Sequence, residues 1–100
     1  MRAAFNDVSK SPWVDVFTEP NFRGRIQRIR GSVTNGALVI RHPQLLPFRS
    51  IIVGPVAVAE LERSGNRKPI KLSPRTILAD VLNLTGRNGI RSLAVLSNCV

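Results

Sequence analysis

The groups with the widest chemical range are few in this chain. One histidine, His42, stands before Pro43, and one cysteine, Cys99, lies next to the C-terminus. The acids are Asp7, Asp15, Glu19, Glu60, Glu62 and Asp80. Zinc chemistry needs several ligands at short, regular spacing, and no Cys/His set here provides it. A nucleophilic thiol needs a base beside it, and Cys99 has none nearby in sequence. Glu60 and Glu62 would share a face of a strand, but amid so much positive charge they are expected to pair with Arg or Lys. The glycines spell neither a P-loop nor a dinucleotide fingerprint. The residues therefore assign no catalytic group, no metal ligand and no cofactor, and the expectation is a protein without enzymatic activity.

What the chain holds in quantity is arginine. Fifteen Lys and Arg against six Asp and Glu leave a net charge of +9, and twelve of the fifteen are Arg. A guanidinium keeps its charge and presents a planar fork of donors to phosphate or carboxylate. Such a balance raises the expectation of an anionic partner: nucleic acid, acidic polymer or membrane surface. The densest cluster is RGRIQRIR, with Arg23, Arg25, Arg28 and Arg30 as candidate polyanion contacts. Guanidiniums along one strand could track phosphates. Yet four Phe, one Trp and no Tyr leave little for base stacking,. A solvated strand face is the favoured reading of the cluster, and non-specific polyanion contact is compatible with either.

These groups must be carried by a small scaffold. One hundred residues, 43% hydrophobic and 21% charged, suit one globular domain with one modest core,. No apolar run approaches the roughly 20 residues of a membrane helix. Residues 1–12 do not read as a signal peptide, and a single cysteine allows no intrachain disulfide, so a cytoplasmic location is favoured,. Residues 1–12 are expected to form a flexible arm, with Phe5 its one large apolar group, and residues 13–100 the domain,. Homo-oligomer formation stays open.

From Trp13 onward, short apolar runs are broken by turn signals at Glu19-Pro20-Asn21, Asn35-Gly36, His42-Pro43, Gly54-Pro55, Ser64-Gly65-Asn66, Ser73-Pro74 and Arg87-Asn88-Gly89. Such punctuation predicts an all-β sandwich or barrel. In WVDVFT, Val14, Val16 and Thr18 are expected on one face, and Trp13, Asp15 and Phe17 on the other. In SLAVLS, Leu93 and Val95 alternate with Ala94 and Leu96. SPRTILADVLNL dissents. Ser73 could cap a helix with Pro74 at its first position, and Ile77, Leu78, Val81 and Leu82 fall on one stripe. A short helix or turn is expected there, around residues 77–83.

The chain also reads as two half-chains. Each opens with a strand, bends through Gly or Asn, returns, wanders, and closes on Arg-Ser plus an apolar strand. The sharpest match sets Phe48-Arg49-Ser50-Ile51-Ile52-Val53 against Ile90-Arg91-Ser92-Leu93-Ala94-Val95. Two such units, about 13–54 and 55–97, would make one eight-stranded sandwich of two Greek keys,.

The run Phe17-Thr18-Glu19-Pro20-Asn21-Phe22-Arg23-Gly24-Arg25 resembles the signature of the βγ-crystallin family. The resemblance extends over about residues 14–96. It implies a first hairpin folded over its sheet, Phe17 stacked on Phe22, and Gly24 at positive φ. It also implies that Ser50 and Ser92 each bond back to the hairpin of their own motif. The second motif departs from the pattern: Leu61, Asn66 and Lys68 stand where two aromatics and a glycine belong.

Many microbial members of that family bind calcium through a stretch of acidic residues or Asn followed by Ser/Thr-Ser. The equivalent stretches here are Leu45-Leu46-Pro47-Phe48-Arg49-Ser50 and Arg87-Asn88-Gly89-Ile90-Arg91-Ser92. Neither holds a carboxylate, and Arg49 and Arg91 replace a hydroxyl ligand, as in lens members that bind calcium weakly at best. The resemblance thus implies a non-catalytic structural or binding module whose calcium sites are lost or vestigial. The alternative is a small basic nucleic-acid-binding β protein. Arg49 and Arg91 are otherwise expected to be exposed.

Overall fold

A computed structural model describes residues 11–31, 38–41, 44–63, 68–85 and 90–97. They form eight strands: β1 (Trp13–Glu19), β2 (Arg23–Arg30), β3 (Leu38–Arg41), β4 (Ser50–Val53), β5 (Ala57–Arg63), β6 (Ile70–Leu72), β7 (Ile77–Leu78) and β8 (Ile90–Ser97). A single 3-10 turn, Pro20–Phe22, joins β1 to β2, and a one-turn helix α1 covers Leu82–Thr85. The strands lie in two antiparallel sheets of four, in the orders β2-β1-β4-β7 and β3-β8-β5-β6. Each sheet takes three strands from one half of the chain and one from the other. The architecture is all-β and sandwich-like.

The period-2 pattern explains the layers. Val14, Val16, Ile29, Ile51 and Val53 of the first sheet join Ala57, Ala59, Leu61, Leu72, Leu93 and Val95 of the second in one buried cluster. Each buried Val, Leu or Ile contributes about 1.5–3 kcal/mol by leaving water. Leu45, Phe48 and Val81 close the cluster from the connections. The alternation expected in SLAVLS is present: Leu93 and Val95 are wholly buried, while Ala94 and Leu96 are half-buried. In β1, Val14 and Val16 share a face as expected, and that face is the core. Asp15 and Phe17, on the opposite face, are buried as well, because Arg28 and the folded hairpin cover them.

The segment around residues 77–83, expected as a short helix or turn, begins as a strand and reaches a turn and helix only at its end. Ile77 and Leu78 pair with Ile52 and Ile51 of β4, whose outer edge needs a partner, and helix begins only at Leu82. Ser73 makes a turn instead of a helix cap: Thr76 N–H donates to the Ser73 carbonyl at 3.2 Å, and Arg75 takes φ 67°. Pro then a positive-φ residue is the pattern of a type II turn. Asp80 accepts from the Leu82 N–H at 3.1 Å and so starts α1,. Of the apolar stripe, only Val81 is buried, and Ile77 is 66% exposed.

Of the expected arm, only Ser11 and Pro12 are among the described residues. Pro12 is buried, and its carbonyl accepts from Gly31 N–H at 2.8 Å, so the β1–β2 ladder reaches it.

Candidate functional site

The densest set of specific contacts lies where the first hairpin meets β4 and the segment before α1. Ser50 opens β4 opposite Phe17 and is completely buried. Its Oγ donates to the Glu19 carbonyl at 2.7 Å and accepts from the Phe22 N–H at 3.0 Å. One hydroxyl thereby holds both ends of the 3-10 turn. The turn needs holding, because Asn21 and Phe22 sit at φ 60° and 61°, where side-chain-bearing residues are uncommon,. Such conformations persist where the surroundings over-determine them. Asn21 N–H adds a bond to the Ala79 carbonyl at 2.9 Å.

The Phe17 and Phe22 rings meet edge to face, with centroids 5.7 Å apart and planes at 78°. Gly24 has φ 80°, and a Cβ there would drive into Thr18 Oγ1, which accepts from Arg25 N–H at 2.9 Å. The five residues singled out for the fold divide accordingly. Phe17, Phe22, Gly24 and Ser50 converge on the hairpin. Ser92 lies at the matching place in β8, buried opposite Glu62. The bend it would tie, residues 64–67, lies outside the described residues.

Ser92 faces Glu62 as Ser50 faces Phe17, so between the two halves Glu62, and not Leu61, corresponds in register to Phe17. Leu61 faces Leu93 and belongs wholly to the core. A one-residue slip moves every side chain to the other face, and core patterning fixes which register wins.

Arg49, next to Ser50, is not the free surface residue its sequence context suggests. Its guanidinium forks onto Asp80, Nε to Oδ1 at 3.2 Å and Nη2 to Oδ2 at 2.9 Å. Its backbone is held too: Arg49 N–H donates to the Phe17 carbonyl at 2.8 Å, and its own carbonyl accepts from Val81 N–H at 2.7 Å. The Arg49 hydrogen bonds and the Leu82 N–H hold the Asp80 carboxyl below its ordinary range,. In the same stretch Leu45 and Phe48 are buried apolar residues of the core. Arg91 is 63% exposed and 3.9 Å from Glu62, a loose surface pair,. Positions 87–89 of the second stretch lie outside the described residues.

The arginines of β2 do not form one stripe. Strand alternation sends Arg28 and Arg30 to the outer face with Ile26, and Arg25 to the side of Gln27 and Ile29,. Arg23 faces Glu19 across a bulge. Arg28 is already engaged: Nε and Nη2 reach the Asp15 carboxylate at 2.7 and 2.8 Å. The same guanidinium lies 4.3 Å from the centre of the Trp13 ring. The other flank of the indole rests on Gly54, where a Cβ would come within 2.7–2.9 Å of it. Sequence reasoning missed this Asp15–Arg28–Trp13 stack. The signal was present, since Trp13 and Asp15 were set on one face, but the partner depends on the β1–β2 register. Gln27 was also missed. Its side chain donates to the Gln44 carbonyl at 2.8 Å and accepts from Leu46 N–H at 2.9 Å, fastening that connection to β2.

Among the described residues, no three of His, Cys, Asp or Glu gather into a metal-holding group. His42, Cys99 and Asp7 lie outside them. No helix among them is long and apolar enough to cross a membrane. No family model matches the chain, and no curated protein matches its sequence.

Proposed function

We propose that the chain is a non-catalytic structural or binding module of the βγ-crystallin kind, built from two interlocked Greek keys, with its calcium sites lost or vestigial. The observation that carries this reading is the Arg49-Ser50 pair. Ser50 pins a hairpin that bears Phe17, Phe22 and a positive-φ Gly24. Arg49 fills the adjoining position with a guanidinium forked onto Asp80. A cation held there would need converging oxygens, and the Asp80 carboxylate beside Arg49 is already paired,. The exchange of β3 and β7 between the sheets supports the Greek-key part of the reading. So does the shared burial order of Ser50-Ile51-Ile52-Val53 and Ser92-Leu93-Ala94-Val95, buried, buried, half-buried, buried in both.

Thermal melts with millimolar calcium, with magnesium and with a chelator test the proposal. A site filled at 100 times its dissociation constant adds about 2.7 kcal/mol, several degrees for a chain of this size. The three melts are expected to coincide. A rise specific to calcium overturns the loss of the sites.

The nucleic-acid reading draws less support. Phe17 and Phe22 are stacked on each other, and Trp13 is covered on one side by Arg28 and on the other by Gly54. Among the described residues, little aromatic surface is left as a platform for bases.

A further inference from the structure

We propose that β2 is an addition site for an extended acidic peptide, which joins the first sheet as a fifth strand beside β2. This goes beyond the module reading and does not depend on it.

The argument starts from the backbone. β2 is the edge of its sheet and is eight residues long, whereas β7 at the opposite edge has two. The bond from Gly31 N–H to the Pro12 carbonyl fixes the phase of the β1–β2 ladder. Gly31, Ile29 and Gln27 turn their backbone groups to β1, so Ile26, Arg28 and Arg30 turn theirs outward. Among the described residues, no backbone bond reaches these outward groups. A row of such donors and acceptors is a template for another strand.

The side chains select the strand. A polyanion lying flat on the outer face meets Arg28 and Arg30, and Arg28 is already neutralised by Asp15. It does not meet Arg25, which alternation sends to the other side. A ligand running along the edge has side chains on both sides of the sheet and meets both sets. Opposite charges facing each other across strands are attractive, and like charges repel. Pairing β2 with the β2 of a second copy would gather two sets of arginines along one seam with no acid of β2 between them. The charge and the edge therefore fit one occupant, an extended segment with carboxylates on both faces.

The probe is a peptide of Val-Glu-Glu repeats as long as β2, labelled for fluorescence anisotropy. Its twin carries an N-methyl group on every residue, which removes the N–H donors of both edges and leaves the charge. A single-stranded DNA oligonucleotide serves as the competing polyanion. The peptide is expected to bind, with the twin weaker by about tenfold or more. Arg25→Glu and Arg30→Glu should each weaken binding by several-fold, while Lys71→Glu in the second sheet leaves it unchanged. In wild type, peptide should slow hydrogen exchange at the Ile26, Arg28 and Arg30 amides, a readout that needs no variant to fold. Absence of binding, equal binding of the twin, loss with Arg30→Glu but not Arg25→Glu, or unchanged exchange at those amides overturns the proposal. DNA binding as tight as the peptide's also overturns it, in favour of a simple polyanion surface.

Discussion

Ser50 makes two bonds with one oxygen, and both partners are backbone groups of a strained turn. Ser50→Ala strands the Phe22 N–H and the Glu19 carbonyl together, at an expected cost of about 1–3 kcal/mol. Ser92→Ala is expected to cost less, because the second motif lacks the aromatic pair and the glycine that define the first bend. Denaturant melts of both variants check the order, and a Ser92 variant at least as damaged as the Ser50 variant contradicts it. Arg91→Ala is the surface control, within about 0.5 kcal/mol of wild type. Arg49→Ala is not such a control, since it breaks the fork onto Asp80. That pair also sets a pH dependence. The folded chain holds the Asp80 carboxyl below its ordinary value of about 4,. Its contribution is therefore present above the ordinary range and is lost as pH falls through that range and then through the lowered folded value. Asp80→Asn should lower stability near neutrality, and its difference from wild type should shrink in acid. A difference that stays constant across melts down to low pH contradicts this.

At the scale of elements, close backbone approach does as much as side-chain contact. Trp13 lies against Gly54, and the chain has no other tryptophan, so its fluorescence reports on this contact. Gly54→Val should displace the indole, change its emission and cost about 1–3 kcal/mol. Unchanged emission with an unchanged melting temperature would show that the ring does not rest there. Elements were legible in sequence where period and turn chemistry agreed. The alternation of WVDVFT and SLAVLS set Val14 with Val16 and Leu93 with Val95 on common faces, which prove to be the core faces, and Glu19-Pro20-Asn21 marked the first bend. They were not legible where a long-range partner decides. The stripe from Ile77 to Leu82 has helical spacing, yet β4 takes Ile77 and Leu78 as a strand. The Arg28–Asp15 and Arg49–Asp80 forks join residues 13 and 31 apart, which local pattern cannot pair.

Across the whole molecule, the two halves are interlocked. β3 leaves its own half to pair with β8, and β7 leaves its half to pair with β4. The contact of Asn21 with Ala79 and that of Arg49 with Asp80 tie the halves at the same end. The all-β class followed from turn spacing, and the repeated Arg-Ser strand hinted at a duplication. The exchange itself is a matter of which edge each short strand finds, and Leu38–Arg41 and Ile77–Leu78 carry no residue that names its partner. The exchanged strands are thus the part of the account most open to contradiction. Cross-strand proton contacts in a labelled sample, read by nuclear magnetic resonance, decide it. Contacts of Ile77 with Ile52 and of Val39 with Ala94 are expected. Contacts that instead join β3 to β2 or β4, closing each half on itself, would contradict the interlocked module.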